Sequence, residues 1–549
     1  MQRFRPGAAV LLAIIISAVL GGVFGPGVLA SDDKVSEREK AFSAALSAIE
    51  SSYVDSDKVA SDRLVYGAIR GMLGTLDPHS SFFDPREYAS MRERQEGRYY
   101  GLGITIQASD GNIVAASVFE GSPAYKKGIR RGDVISKIGT EATKGWTSLQ
   151  AQNKLRGPRG TTVQIEITRR GYANALPLEV TRDEVYIPTV KAYFMLDATT
   201  GYIRHNDWGE NTDHDIRRAL QDLTSKGMKR LLYDIRGNPG GPLDQAIKTA
   251  NEFLPRGSMI VKTRGRIPNS DQDYAATEDS TFTNIPMVVL ANRSSASASE
   301  IFTGSMQDHD RAYIVGETTF GKALVQSVYR ISGGAGLALT TAHYYTPSGR
   351  LIQRPWDESF DEYLTYTQRD QDVNKAHNSS DLKYTDAGRP VYSGGGIEPD
   401  KYVPGPIGME SSDGSGFTPT SFGRMLYNRQ DFENFAEKFD AEGDRRVAQT
   451  PTGRQTVAQN FEVTDAMLAD FKEMLKTERL KIDEDAFRKD TDFIKAMIRF
   501  RIDEALFGFA EAQRHLIAVD PQAQVALTEF VEAQKLLTLR RSGGTKPAH

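Results

Sequence analysis

Between Tyr202 and Val315, short apolar runs alternate with stretches of helical spacing, and this alternation restricts the fold more than any other feature of the chain. Tyr202-Ile203-Arg204, Leu231-Leu232-Tyr233-Asp234-Ile235 and residues 259–261, 287–290 and 312–315 read as strands. Helical stretches reach Gly227, cover residues 242–254 and begin again near Ser297. Such alternation predicts a layered α/β domain, placed at residues 184–404.

The 549 residues exceed one domain, because a domain usually takes about 100–200. Residues 31–96 read as a helical segment. Ser36 and Glu39 form a capping box ahead of Phe42, Leu46, Ile49 and Tyr53 on one face. A second helical stretch, residues 62–76, runs into the turn Asp77-Pro78-His79-Ser80-Ser81. From Tyr99 the pattern changes to short strands and glycine turns: Gly101-Leu102-Gly103-Ile104, Gly121-Ser122-Pro123-Ala124, Gly132-Asp133-Val134-Ile135 and the strand at residues 163–167. That order resembles a PDZ domain, at residues 97–183. The resemblance makes Gly101, Leu102, Gly103 and Ile104 the loop that binds a chain terminus, with an edge strand pairing to an extended peptide. Residues 405–549 form a Gly/Ser/Pro-rich linker and a helical C-terminal extension. Thr464 caps a helix bearing Leu468, Phe471 and Leu475, and Phe493, Met497, Phe500 and Leu506 continue the amphipathic theme. These helices either cover the core or build a homo-oligomer.

An apolar fraction of 39% and a charged fraction of 26% exclude a disordered or multi-span membrane chain. The 68 basic and 72 acidic residues give a net charge of −4 without a basic block. Nucleic acid is therefore not the expected partner, since phosphate binding needs clustered cations. The absence of cysteine removes disulfides, thiol catalysis and zinc–thiolate sites. In residues 1–30, Arg3 and Arg5 precede an apolar run over residues 8–23, and Val28-Leu29-Ala30 stands before Ser31. That is the layout of a signal peptide cleaved after Ala30, the alternative being a single retained membrane anchor at residues 8–23. Either way the remaining chain is expected outside the cytoplasm, in the periplasm or an equivalent extracytoplasmic space.

Three segments of the α/β region carry candidate chemistry. Arg236-Gly237-Asn238-Pro239-Gly240-Gly241 resembles the nucleophile loop of trypsin-like proteases, but Pro239 stands where the serine would be. What remains is either an ordinary strand-to-helix turn or a loop whose Gly240 and Gly241 N–H groups suit an oxyanion. Residues 316–323 have P-loop spacing, yet Ala323 replaces the Ser or Thr that would hold magnesium, and an exported protein meets little ATP. Ser297-Ala298-Ser299-Glu300 is a capping box. It is equally a serine at a helix N-terminus, where the helix field favours a developing anion and the Ala298 N–H has no helical partner. A nucleophilic serine needs a base. The eight histidines form no recognised Ser-His-Asp arrangement, and there is neither a Gly-x-Ser-x-Gly elbow nor a His-Glu-x-x-His metal site. Lysine remains: burial can lower its pKa to about 5–6, and the neutral amine can take a hydroxyl proton.

Residues 294–301, Gln307-Asp308, and Gly316-Glu317 followed by Phe320-Gly321-Lys322 and Leu324-Val325-Gln326 closely resemble the carboxy-terminal processing (tail-specific) protease family. So do residues 76–81 and residues 234–241, and the likeness covers about residues 40–404. It implies a protease core of the ClpP/crotonase type, within a multidomain α/β chain of helical segment, PDZ domain, core and helical extension. It further implies Ser297 as nucleophile, Lys322 as general base and Gln326 as the support of that lysine. The i and i+4 spacing agrees, since such positions share a face on a helix or a strand. Asp308 matches a position often counted with the catalytic set and reads as a structural organiser, because an aspartate against Lys322 would raise the lysine pKa. Ala298 with Gly240 or Gly241 would hold the oxyanion. Ala323 and Arg293-Ser294 depart from the commonest family pattern without removing a reactive group. The expected activity is endoproteolysis of proteins with accessible C-termini, needing no metal or cofactor. The rival is a catalytically silent PDZ scaffold that binds tails without cutting them.

Overall fold

The computed structural model describes residues 33–169, 172–356, 360–369, 371, 377–407, 415–442 and 455–541. The leader expected over residues 1–30 lies outside the described residues, as does most of the linker. Among the described residues no helix is long and apolar enough to cross a membrane. They form two compact units, one reaching Arg86 and including Val328–Leu339, the other holding Glu87–Ser327 and the chain from Thr340 onward.

In the first unit, helix α1 (Asp33–Ser52) starts ahead of the expected cap, so Ser36 lies inside the helix and not at its boundary. Helix α2 (Ser61–Leu73) packs Tyr66, Ile69 and Leu73 with Phe82 of strand β1 (Ser81–Phe83). The intervening Asp-Pro-His-Ser is closed by its own aspartate. Asp77 accepts from the N–H groups of His79 and Ser80 at 2.7 and 2.8 Å and from the Ser80 hydroxyl at 2.7 Å.

The second unit begins within helix α3 (Pro85–Glu96), at Glu87, and continues with strand β2 (Arg98–Gly101). Strands β3 (Ile104–Ser109), β4 (Asn112–Val118), β5 (Val134–Ile138), β6 (Thr162–Thr168) and β7 (Leu176–Thr181) then form an antiparallel sheet in that order. Helices α4 (Pro123–Lys126) and α5 (Ser148–Leu155) complete it, and Ile113, Ala115, Ile135, Ile165 and Ile167 fill its core. Strand β8 (Asp183–Tyr186) pairs back onto β2.

The main sheet follows the order β9 (Val190–Met195), β10 (Thr200–His205), β11 (Arg230–Asp234), β12 (Met287–Ala291), β13 (Tyr313–Gly316) and β14 (Lys401–Tyr402). Only β9 runs antiparallel to its neighbour. Side chains alternate between faces along a strand, and here both sets are apolar. Leu231, Tyr233 and Val289 face helices α6 (Thr212–Ser225), α7 (Leu243–Asn251) and α8 (Ala298–Asp308). Leu232, Val288, Leu290 and Val315 lie on the opposite side, packed with Ile517, Ala523, Ala526 and Phe530. Those residues belong to helices α9 (Phe509–Ile517), α10 (Pro521–Thr528) and α11 (Phe530–Arg541). Of the two roles expected for the C-terminal helices, covering the core is the one this packing realises. The preceding part of the C-terminal region builds a core of its own from Phe432, Phe435, Phe471, Phe493 and Phe500.

Candidate active site

Strand β12 ends in a turn that delivers Ser297 to the start of α8. Ser297 has φ 54° and ψ −113°, a backbone conformation that a side chain makes costly, on the order of 1–3 kcal/mol. The strain is held by bonds on both sides of it. The Ala296 N–H donates to the Asn238 carbonyl at 3.0 Å, and the Ser297 N–H donates to the Glu300 carboxylate at 2.8 Å.

Glu300 is completely buried, and its carboxylate is where the serine turn and the lysine loop meet. Its Oε2 accepts from the N–H groups of Ser297 (2.8 Å) and Lys322 (2.9 Å). Its Oε1 accepts from the Gly321 N–H and the Thr319 hydroxyl, both at 2.6 Å. Burial pushes the Glu300 pKa up, while these four donors oppose the shift. Tyr344 makes a second link, its hydroxyl lying within reach of the carbonyls of Ser297 and Lys322. Sequence reasoning placed Glu300 only as a helix cap. The capping box and the site are the same structure, because the cap's carboxylate also fixes the lysine backbone. Tyr344 carried no local signal.

The structure brings Lys322 and Gln326 together as the spacing implied: Lys322 Nζ donates to Gln326 Oε1 at 3.0 Å. Ser297, Lys322 and Gln326 are each half-buried, Ser297 and Lys322 with fully buried neighbours on both sides in the chain. Asp308 sits at the far end of α8, where its carboxylate accepts from the Arg350 guanidinium and, at 2.9 Å, from the Ser348 N–H. Residues 316–323 do not build a phosphate site, since strand Leu324–Arg330 follows where a P-loop would open a helix.

The glycine loop closes over the serine. A Cβ on Gly240 (φ +91°) would come within 2.8 Å of the Ser297 Cβ and 2.9 Å of the Ala298 nitrogen, so glycine keeps the space above that N–H open. The expected oxyanion set changes in one respect. The Gly240 N–H already donates to Asn238 Oδ1 at 3.0 Å, because the Asn238 side chain folds back to close the loop. Gly241 lies against the Trp208 backbone, which a Cβ would approach to 2.8 Å. The Trp208 indole donates to Ser299 Oγ, which donates to the Asn238 carbonyl, each at 3.0 Å. His205 stacks edge-on against Trp208, and burial drives its pKa down to about 3.

The expected terminus-binding loop is the turn between β2 and β3. Gly103 has φ +82°, and a Cβ there would overlap the Ser122 side chain. The carbonyls of Leu102 and Gly103 accept from the N–H groups of Ala124 and Phe119, each at 2.9 Å, so they point into the domain. The groove beside the loop is lined by Leu102, Ile104, Ile106, Leu149, Leu155 and Ile187. At its mouth Arg156 lies over the Tyr99 ring and pairs with Glu93 at 2.8 Å. Burial raises the Tyr99 hydroxyl to about 12, with Arg156 and the Gly103 N–H pulling the other way.

Residues 199–356 match peptidase family S41, and residues 90–168 match the PDZ domain. The carboxy-terminal-processing protease of Bartonella bacilliformis is 40% identical over 295 residues, 53% of this chain and 67% of that protein. The carboxy-terminal processing protease CtpA of Bacillus subtilis is 32% identical over 348 residues, 63% of this chain and 73% of that protein. A solved photosystem II D1 C-terminal processing protease shares 31% identity, covering 57% of this chain and 89% of its own, with a TM-score of 0.33. The chain is a serine-type peptidase with a PDZ domain. It belongs to the carboxy-terminal processing protease family, within peptidase family S41.

Proposed function

We propose that this peptidase works outside the cytoplasm as an endopeptidase, capturing protein C-termini in the PDZ groove and cutting with a Ser297–Lys322 dyad. The observation that carries the reading is the shared carboxylate: Glu300 binds the N–H of the serine and of the lysine on one oxygen atom. In the reaction, the Lys322 amine takes the Ser297 hydroxyl proton as the oxygen attacks the scissile carbonyl. The tetrahedral oxyanion sits against the N–H groups of Ala298 and Gly241, one such donor lowering the barrier by about 2.7–4 kcal/mol. The lysine then gives its proton to the leaving amine, and the acyl-enzyme is hydrolysed by a water that the same lysine deprotonates. Gln326 holds Nζ in place throughout. Export rests on the leader layout of residues 1–30, and a mature N-terminus at Ser31 is the expected result of Edman sequencing. Incubation with β-casein, an unfolded substrate, tests the chemistry. Wild type should cut it, while Ser297→Ala and Lys322→Ala should not; equal cutting by either variant removes the dyad.

A further inference from the structure

The family match in the protease core stops at residue 356, yet one side chain of the glycine loop is held by residues far beyond it. Arg236, which opens the loop, is completely buried. Its Nε and Nη2 donate to Asp234 at 3.0 and 2.7 Å. Its Nη1 turns the other way, to Asp520 Oδ1 and Oδ2 at 3.2 and 3.1 Å and to Gln522 Oε1 at 2.9 Å. Asp520 and Gln522 lie at the start of α10, on the side of the sheet opposite α8.

The charges show why the second carboxylate is needed. Asp234 also accepts from Arg204 at 2.8 Å, so a single carboxylate faces two buried guanidinium groups. Asp520 balances the set, and all four side chains are at most 1% exposed. A buried cation left without its partner is strongly disfavoured. Arg236 without Asp520 would seek water, and its backbone leads directly into the loop. From there the bonds run to the nucleophile. The Gly237 N–H donates to Asn292 at 2.8 Å, and the Asn238 carbonyl accepts from Ala296 and Ser299 on either side of Ser297.

We propose that Asp520 and Gln522 are positioning residues of the peptidase reaction, holding Arg236 so that the glycine loop stays seated over Ser297. The proposal rests on the dyad reading above. Its consequence is that the C-terminal helices are part of the catalytic apparatus, acting through the sheet from its far side.

The test uses the full-length chain with β-casein, following kcat, KM and thermal unfolding together. Asp520→Asn should lower kcat at least tenfold with KM within twofold, and Asp520→Glu should recover most of the loss. Asp503→Asn is the comparison, since it removes an equally buried carboxylate of the same helical region, bonded to His515 at 2.7 Å. It should lower the melting temperature and leave kcat within twofold. The proposal is overturned if Asp520→Asn keeps kcat within twofold of wild type, or if Asp503→Asn lowers kcat equally. Should Asp520→Asn fail to fold, Gln522→Leu decides: a threefold or larger loss of kcat supports the proposal, and an unchanged kcat overturns it. Ser297→Ala in the same assay separates the two readings. Cutting by Ser297→Ala overturns both, whereas an inert Ser297→Ala beside a fully active Asp520→Asn leaves the dyad and removes only the positioning role.

Discussion

Two contacts that the described residues of the C-terminal region make with the rest of its unit are built differently. Against the main sheet the region presents Ile517, Ala523, Ala526 and Phe530, with one sealed ion pair, Arg236–Asp520, and with Arg230 and Arg514 laid over the rings of Phe530 and Phe194. Against the PDZ domain it presents ions that keep some access to water: Arg130 pairs with Asp440 at 2.8 Å and Arg131 with Glu433 at 3.7 Å, the latter carboxylate being held at 3.2 Å by Arg501 of its own helical region. Glycines allow the close approach there. A Cβ on Gly132 would collide with the Glu437 carboxylate, and one on Gly508 would come within 3.1 Å of Glu120. A cavity of about 140 Å³ remains between the two, bordered by Val118, Ile129, Arg169, Glu433 and Leu506. Dry apolar packing makes a permanent layer of the fold. Ion pairs around a void make a contact whose strength depends on the solvent.

The largest expected effect breaks the apolar contact. Phe530→Ala empties a site that is 5% exposed, and urea unfolding should show a loss of about 3–5 kcal/mol. A loss below about 1 kcal/mol would mean that the far face of the sheet does not need this cover.

Acid gives the next effect, and in the core it acts through His205. His205 stays neutral in the folded chain until about pH 3, whereas an unfolded histidine binds its proton below about pH 6.5. Stability is therefore lost as pH falls through that window, by about 2 kcal/mol at pH 5. His205→Asn should flatten the dependence of unfolding free energy between pH 7 and pH 5, and an unchanged slope would locate the acid sensitivity elsewhere.

The smallest effect sharpens the comparison from the other side. Arg131→Ala should cost about 1 kcal/mol or less in global stability, since Arg131 is 35% exposed and Glu433 keeps Arg501. It should nonetheless speed hydrogen exchange over residues 129–133, as raised salt should in the wild type. Exchange in β11 should respond to neither, and a parallel response there would show that the two contacts open together.

What could be read in advance divides along the same line. Strands buried on both faces announce a layered sheet, because they remain apolar at every position, as Leu231, Leu232 and Tyr233 do. The Ser297 and Lys322 segments were legible because each is a short contiguous run. Helices α9–α11 were not assignable, since an amphipathic pattern states that a face is buried and not against what. Arg236 and Asp520 lie 284 residues apart, and no local rule links them. Glu300 was half-legible. Its spacing to Ser297 marks a cap, while its bonds to Gly321 and Lys322 exist only after the strands have aligned.

The distance in sequence between Arg236 and its partners also has a consequence for the order in which the molecule can form. As the chain is made from its N-terminus, β10 to β13 and the residues around Ser297 emerge long before α10 and α11. Until those helices arrive, one face of the sheet stays open to solvent and Arg236 has only Asp234, which it shares with Arg204. Contacts this far apart form late and slow folding. A protease assembled this way acquires its working loop at the last step of its own folding, when little of the chain remains exposed for another copy to cut.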